Sequence, residues 1–322
     1  MSALLERLGV ELPVVQAGMG GGLARHELAA AVSEGGGLGT IGTLPPQALA
    51  REIEAARELT AKPVAVNLLL PFARRPHRDV VAKADVVVTF WGRPRRPAGG
   101  VWLHQCGSVE EAKEAAQAGV DGVIAQGVEA GGHVRGTTPA LELLERVRAA
   151  LRAEFRVLLA GGIAERADVA GALDAGADAA VAGTRFLMTE ESHAHPAYKQ
   201  RLMESRDTVL TELFGAGWPN APHRVLWNEA AERWLRGDPR GPAAVRALQR
   251  ALSPVLSRVP PAAQARLGRL QRAGSPLLSP APPTDGDPTQ LLDAAPLYAG
   301  ETVARIHDVR DAAKLTLELG SG

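Results

Sequence analysis

The chain has 322 residues, of which 46% are hydrophobic and 22% charged, the proportions of a globular protein. Basic and acidic residues number 36 each, so the formal net charge is zero, and only 4% of residues are aromatic. This balance disfavours nucleic-acid binding, which needs basic surface and stacking side chains. The single cysteine, Cys106, excludes an intrachain disulfide framework and a cysteine-rich zinc site.

The sequence contains no apolar run near the roughly 20 residues that a membrane span requires. Glu6, Arg7 and Glu11 interrupt the N-terminal segment, which therefore does not resemble a secretion signal. These features predict a cytoplasmic protein that binds no membrane.

Through residue 186, short apolar runs that mostly end in glycine alternate with segments of helical period. The runs predict buried parallel strands at Val14–Met19, Leu38–Gly42, Val64–Leu69, Val86–Gly92, Val101–Gly107, Gly122–Gly127, Arg156–Gly162 and Ala179–Phe186. The other segments predict amphipathic helices at 24–34, 46–60, 108–118, 139–152 and 165–175. Eight strands alternating with helices predict an α/β fold, a (β/α)8 TIM barrel, with a doubly wound open sheet as the alternative.

Two parts of the chain depart from this alternation. The connection Arg93–Gly100 (RPRRPAGG) has two prolines and two glycines, which predicts an irregular basic loop without a helix. Beyond Phe186 the strand pattern stops. We therefore expect a barrel over 1–186, a C-terminal helical cap over 187–295 and, over 296–322, a final helix that returns to the barrel.

Two strand ends in the first half carry unusual residues. Three consecutive glycines follow the first strand in Gln16–Gly22 (QAGMGGG), where the bare backbone permits either close approach of a flat ligand or a flexible turn. Asn67 is a polar amide within an otherwise apolar strand. Its partners are either a ligand or neighbouring backbone, because a buried amide needs hydrogen bonds.

The sixth strand and its loop read Ile124–Gly136 (IAQGVEAGGHVRG). Gln126 stands at the strand end, and Gly131 and Gly132 permit close backbone approach directly before His133. An imidazole has an unperturbed pKa near neutrality, which suits proton transfer. We therefore interpret His133 as a functional residue.

Glycines also end the last two predicted strands, in Leu159–Ile163 (LAGGI) and Val181–Phe186 (VAGTRF). Backbone amides at the ends of strands seven and eight form the usual phosphate site of these barrels. The pair therefore predicts binding of a phosphorylated ligand.

These four motifs and the segment VNLL around Asn67, in this order, resemble the nitronate monooxygenase (2-nitropropane dioxygenase) family of FMN-dependent TIM barrels, which is related to the FMN-dependent enoyl-ACP reductases. The resemblance covers about Val14 to Tyr198 and resumes weakly at Tyr298–Leu319. It implies that His133 is the catalytic residue and that the cofactor is FMN. The cofactor-binding positions that it implies are Ala17, Gly18, Met19, Asn67, Gln126, Gly131, Gly132, Gly161, Gly162, Val181, Ala182, Gly183 and Thr184. Gly18 stands where many family members have proline.

The resemblance implies oxidation of an alkyl nitronate by O2 to a carbonyl compound and nitrite. One alternative is an FMN-dependent NAD(P)H oxidoreductase that reduces a quinone or an enoyl thioester. Another is a non-redox barrel that binds a phosphorylated metabolite. In each case the partner is a small molecule, with O2 or NAD(P)H as the redox partner in the first two.

Four further residues lie outside these motifs, and their roles are less clearly indicated by the sequence. We expect Cys106 to be a small buried residue, and His104 either to line the barrel mouth or to pack inside. His193 and His195 are interpreted as residues that dock the cap. No carboxylate or third histidine stands near them at ligand spacing, so no metal site is expected. The cap core is expected to contain Trp218, Trp227 and Trp234, with a substrate-wall role for Trp218 left open.

Overall fold

The computed structural model describes residues 3–256, 258–259 and 261–321. The strands of this part of the chain are β1 Val14–Gln16, β2 Gly39–Ile41, β3 Val64–Leu69, β4 Val86–Phe90, β5 Val101–Cys106, β6 Gly122–Gln126, β7 Gly132–His133, β8 Arg156–Ala160, β9 Ala180–Ala182, β10 Val209–Thr211 and β11 His223–Val225. Its α-helices are α1 Ala3–Leu8, α2 His26–Glu34, α3 Pro46–Leu59, α4 Arg75–Val81, α5 Val109–Gln117, α6 Ala140–Ala150, α7 Arg166–Asp174, α8 Thr184–Leu187, α9 Pro196–Glu204, α10 Glu229–Trp234, α11 Ala243–Leu256, α12 Pro261–Arg269 and α13 Ala312–Gly320.

Eight parallel strands follow one another in the order β2-β3-β4-β5-β6-β8-β9-β1. The two ends of this sheet meet in a parallel bridge between Val15 and Leu38. Gln16 reinforces the closure, because its main-chain N–H donates to Leu38 O at 3.0 Å and its side-chain Oε1 accepts from Thr40 N at 2.8 Å. The predicted (β/α)8 barrel is confirmed, and the open-sheet alternative is wrong.

The apolar residues form separate layers on the two faces of the sheet. The barrel interior is filled by one cluster that includes Val15, Leu38, Val88, Leu103, Ile124 and Val181. A second cluster joins outward-facing strand residues such as Trp102 and Val157 to helical residues such as Leu143. Both faces of the strands are therefore buried, which explains why the strands read as continuous apolar runs.

The connections between strands match the sequence with two differences. The predicted loop at 93–100 has no helix, as expected. However, α4 was not expected from the sequence, because its seven residues are mostly polar and lack an apolar period. Ser108 caps α5, since its side chain accepts from Glu111 N at 3.2 Å. α6 begins one residue later than expected, with Pro139 at the capping position.

The chain divides into two compact units. The barrel unit comprises the residues up to Glu129, then Arg135–His193 and the residues from Asp308 onward. The second unit comprises Ala130–Val134 and Ala194–His307. These bounds differ from the expected 187 and 296, and the short segment at 130–134 joins the second unit because β7 pairs with β11.

The second unit contains a small antiparallel sheet in the order β10-β11-β7, in a region where the sequence predicted helices alone. Its core includes Leu213, Phe214 and Val225, with Trp234 packed against them. Trp227 is 40% exposed, so its expected place in this core is wrong. None of the helices in the described ranges combines the length and hydrophobicity of a membrane span.

Candidate active site

The loop after β1 and the end of β3 are in direct contact in the barrel unit. A Cβ built on Gly18 would lie 2.3 Å from the Cβ of Asn67, so only glycine fits this approach. Asn67 is 5% exposed, and its Nδ2 lies 3.4 Å from Gly18 O. The glycine that replaces the family's proline therefore lets this loop lie against the predicted flavin ligand Asn67.

Thr43, which the sequence analysis did not single out, fixes the orientation of Asn67. The Thr43 hydroxyl lies 3.1 Å from Asn67 Oδ1 and 3.0 Å from Asn67 O, and it accepts from Leu69 N at 3.1 Å. The side-chain oxygen of Asn67 thus has a protein partner. Thr43 follows β2 directly, and nothing in its local sequence distinguishes it from an ordinary loop threonine.

Gly42 holds the predicted flavin contact Met19 in place. A Cβ on Gly42 would lie 2.0 Å from Met19 O, so the backbones at the ends of β1 and β2 touch without intervening side chains. Met19 O also accepts from Ala24 N at 3.1 Å. The loop after β1 is therefore held by backbone contacts, although its three glycines suggest flexibility.

The end of β6 presents a buried amide. Gln126 is 4% exposed, and its Oε1 lies 3.4 Å from Arg135 N. Glu129, in the same motif, has a structural role, because its carboxylate accepts from Ala140 N at 2.9 and 3.1 Å at the start of α6. The carboxylate in this motif is thus a helix cap.

The glycines that end β8 and β9 leave space beside the backbone. Gly161 and Gly162 have φ values of +109° and +78°, which favour glycine. A Cβ on Gly162 would meet only the Glu129 side chain, at 3.8 Å, and one on Gly183 only the Ala17 side chain, at 3.7 Å. These positions leave room for a group that lies directly against the main chain. The residues present therefore fit a phosphate-bearing flavin.

Three neighbouring predicted contacts have defined places around these glycines. Val181 and Ala182 lie within β9, and Ala182 O accepts from Ala17 N at 2.9 Å, so their backbone belongs to the barrel wall. Thr184 is the first residue of α8 and is 8% exposed. The first amides of a helix have no acceptor within the helix. They are suitable donors to a phosphate.

His133 lies in the second unit, in the strand pair formed by β7 and β11. It stands opposite His223 in the antiparallel register, and its ring stacks on Trp218 with centroids 3.9 Å apart and planes 23° apart. Burial among these rings lowers the pKa of His133 well below its usual value, and the neighbouring His223 lowers it further. His133 is therefore a neutral imidazole at pH 7.

His223 has a fixed tautomer. Its Nε2 accepts from Phe214 N at 3.3 Å, so Nδ1 carries the proton and donates to Ala221 O at 2.8 Å. Burial lowers the pKa of His223 to about 4. Its ring centroid is 5.2 Å from that of His133. The sequence analysis did not identify this residue, because its pairing with β7 depends on a contact 90 positions away in the chain.

The two glycines before His133 serve different purposes. A Cβ on Gly131 would lie 2.5 Å from Gly300 N, so close packing against the backbone at 299–300 accounts for glycine there without a ligand. Gly132 has φ +71° and nothing within 4 Å of its Cβ position. Of the two predicted flavin contacts, Gly132 alone has open space beside it.

His104 and Cys106 belong to the barrel wall. His104 is 3% exposed, and its Nδ1 lies 2.8 Å from the Thr89 hydroxyl, which accepts from Trp102 Nε1 at 2.7 Å. Burial lowers the pKa of His104 to about 4. Cys106 is fully buried, as expected, and burial raises the pKa of its thiol. Neither residue has the environment of a nucleophile.

Comparison with known proteins agrees with this geometry. The family model for nitronate monooxygenase matches residues 1–87 and 83–258. The chain is 31% identical over 286 residues to a nitronate monooxygenase of Pseudomonas aeruginosa, an alignment covering 70% of this chain and 80% of that protein. The crystallised nitroalkane oxidase from Streptomyces ansochromogenes has a TM-score of 0.76 and 30% identity, over 99% of this chain and 96% of that one.

A second kind of relative is equally similar. The chain is 35% identical over 238 residues to the (3aS,4S,5R,7aS)-5-hydroxy-7a-methyl-1-oxo-octahydro-1H-indene-4-carboxyl-CoA dehydrogenase of Rhodococcus jostii. That alignment covers 70% of this chain and 65% of the dehydrogenase, so the chain spans about two thirds of its length.

The chain is a flavin-dependent oxidoreductase. This class is defined by its barrel fold, by the space beside the backbone at Gly162 and Gly183, and by these matches. The chain belongs to the nitronate monooxygenase family.

Proposed function

We propose that this protein binds FMN and oxidises alkyl nitronates with O2 to a carbonyl compound and nitrite, with His133 acting on the substrate. The observation that carries the proposal is the neutral imidazole of His133, whose Nε2 is buried, within the motif most specific to the family. A neutral imidazole has a ring nitrogen able to accept a proton at pH 7.

FMN would be held by the barrel unit. The proposed phosphate donors are the backbone at Gly161, Gly162, Gly183 and Thr184, and the structure leaves room beside the main chain at Gly162 and Gly183. Asn67 and Gln126 are the proposed partners of the ring heteroatoms, because they are buried amides at the ends of β3 and β6. When bound, the flavin supplies the electron chemistry, while the protein supplies binding and polarity.

His133 has two proposed tasks. For a neutral nitroalkane, a ring nitrogen takes the α-proton and leaves the nitronate. For a preformed nitronate, the imidazole orients the anion, and no proton needs to be removed. Stacking on Trp218 fixes the ring plane for either task.

The decisive experiment supplies a nitronate, NADH or NADPH separately to the purified protein under anaerobic conditions and follows the flavin spectrum. Bleaching by the nitronate alone, followed by nitrite formation when air is admitted, is the expected result. Bleaching by a nicotinamide nucleotide alone would instead support the NAD(P)H oxidoreductase. A protein that takes up no flavin would favour the non-redox phosphometabolite barrel.

A CoA thioester is the second candidate substrate, favoured by the Rhodococcus relative and by one surface feature. Three exposed arginines, Arg74, Arg75 and Arg78, lie at the start of α4, in the connection that follows β3 on the side where barrel enzymes bind substrates. Their charge suits a substrate that carries several phosphates. Turnover of an acyl-CoA with an artificial electron acceptor, in the absence of any nitronate turnover, would place this candidate first.

A further inference from the structure

Two histidines and two glutamates converge in the barrel unit, at a place that none of the proposed flavin contacts uses. His26 and Glu27 are the first two residues of α2, Glu52 lies on α3, and His193 follows α8. One donor atom from each of His26, Glu27 and Glu52 lies within 4.8 Å of the others. His193 joins them through its Nε2, which is 3.1 Å from Glu27 Oε2.

The two imidazole nitrogens lie close to the distances expected between ligands when measured from Glu27 Oε2. His26 Nδ1 is 3.2 Å from this oxygen, and it also forms a 2.6 Å hydrogen bond with Glu52 Oε2, which a bound metal ion would replace. Ligands about 2.0–2.2 Å from a tetrahedral zinc ion lie roughly 3.3–3.5 Å from one another. Three of the four residues already approach this arrangement through the single oxygen of Glu27.

The Glu27 carboxylate provides an independent indication. Its Oε2 atom is buried and accepts no hydrogen bond from the described residues, although imidazole nitrogens of His26 and His193 lie within 3.2 Å. A buried carboxylate oxygen without a hydrogen bond is costly. His26 Nδ1 is hydrogen-bonded to Glu52 instead, so two imidazole nitrogens face a buried carboxylate oxygen that neither of them satisfies. A cation shared by these groups would satisfy it.

The carboxylate of Glu52, the fourth residue of the cluster, is oriented by its neighbours. Arg25 Nε donates to Glu52 Oε1 at 2.9 Å, and the main-chain N–H of His26 donates to Glu52 Oε2 at 3.0 Å. The carboxylate is therefore oriented by a second set of contacts, as is usual for metal ligands. His193 is also fixed by its backbone, whose N–H donates to Leu23 O at 3.0 Å.

We propose that His26, Glu27, Glu52 and His193 form a binding site for a divalent transition metal, with zinc as the best fit. A donor set of two imidazoles and two carboxylates suits zinc and disfavours magnesium and calcium, which take oxygen ligands. Four protein ligands leave no open position, so the ion is structural. It clamps the first turn of α2, directly after the glycine loop of β1, to α3 and to the segment that ends at His193.

The absence of any metal site was expected from the sequence because no carboxylate or third histidine accompanies His193 and His195 at ligand spacing in the chain. The fold supplies these residues from α2 and α3, more than 130 positions away. His195, its neighbour in sequence, does not take part, since its Nδ1 accepts from Ala197 N at 3.0 Å and caps α9.

The test is zinc binding by the full-length, tag-free protein. After chelator treatment and removal of the chelator, Zn²⁺ is titrated by competition with a chromophoric chelator, and retained metal is measured by elemental analysis. We expect one equivalent per chain and a zinc-dependent rise in the melting temperature. Glu27→Gln and His193→Ala should each weaken zinc binding by about 100-fold or more, because even second-shell changes cost about 10–100-fold.

His307→Ala is the matched control, since His307 is an exposed histidine of the same chain outside the cluster. It should leave zinc affinity unchanged. Glu27→Gln preserves side-chain size, so a variant that folds with an unchanged flavin spectrum still reports on the site. Equal zinc affinity in the wild-type protein, Glu27→Gln and His193→Ala would overturn the proposal and leave a hydrogen-bonded charge cluster. Because zinc is measured directly, this result would not bear on nitronate oxidation.

Discussion

The imidazole of His133 lies nearly parallel to the indole of Trp218, with ring centroids 3.9 Å apart. The same imidazole approaches the ring of Tyr298 with centroids 5.6 Å apart. An aromatic enclosure of this kind removes water from the histidine, and a dehydrated imidazole is harder to protonate. The predicted chemistry of His133 therefore depends on residues that carry no catalytic group of their own.

Substitution His133→Ala should lower turnover of a neutral nitroalkane by roughly 10²–10⁴-fold, the usual contribution of a general base. Flavin content and spectrum should stay the same, because the proposed phosphate donors and the proposed partners of the flavin ring heteroatoms lie in the barrel unit. The loss on a preformed nitronate should be smaller, since no proton has to be removed. Steady-state nitrite formation with both substrate forms measures this difference. Loss of flavin from the variant would instead make His133 a cofactor-binding residue.

Substitution Trp218→Leu should move the acid limb of the profile of kcat/KM against pH to a higher pH. Burial lowers the pKa of His133, and opening its surroundings to water should raise that pKa toward 6.5. The base acts only when neutral, so kcat/KM for a nitroalkane should fall at a higher pH in the variant than in the wild type. Trp227→Leu, at a 40% exposed tryptophan, is the control and should keep the wild-type limb. If the acid limbs of the wild type, Trp218→Leu and Trp227→Leu coincide, Trp218 does not shield His133 from water.

Stability should decline as the pH falls from 6.5 to about 4. Burial lowers the pKa of His104 and of His223 to about 4 in the folded protein, so the unfolded chain binds more protons throughout this range. Each group then lowers the free energy of unfolding by at most about 1.4 kcal/mol per pH unit. Chemical denaturation at several pH values should show this slope. His104→Gln should remove one group's share of the slope.

Two glycine substitutions should separate cofactor binding from packing. Gly183→Val should weaken flavin retention with little change in melting temperature, because the added side chain enters space that the protein leaves open. Gly18→Ala should cost about 1–3 kcal/mol of stability, the usual effect of overpacking, because its Cβ would overlap Asn67. Flavin retention and thermal denaturation are measured on both variants.

Gly171→Ala serves as the control for both substitutions. This glycine lies inside α7 with nothing within 4 Å of its Cβ position, so alanine should be neutral or slightly stabilising there. A loss of stability in Gly183→Val as large as that in Gly18→Ala would indicate that Gly183 is required for packing alone.

The barrel could be predicted because its strands are buried on both faces. β3 was predicted to the residue at Val64–Leu69, whereas β9 is limited to Ala180–Ala182 because the residues after it turn into α8. The small sheet of the second unit could not be predicted. β7 has only two residues and β11 only three, and their pairing joins distant parts of the chain.

The candidate site was predictable where glycine or a polar residue interrupts an apolar strand, as at Asn67 and Gln126. The residues that orient these groups were not, because Thr43 and His223 act through contacts that no local pattern records. The cluster around His193 was not predicted for the same reason, because its other members lie on α2 and α3.

α13 has a consequence for how the molecule is made. Its residues Leu315 and Leu319 share a core cluster with Val14 of β1 and with Val32 of α2. The ribosome therefore releases the first strand and its helix long before the segment that covers them exists. The apolar surface of β1 and α2 stays uncovered while all the residues between α2 and α13 are synthesised, which makes nascent chains stalled before α13 natural clients for chaperones.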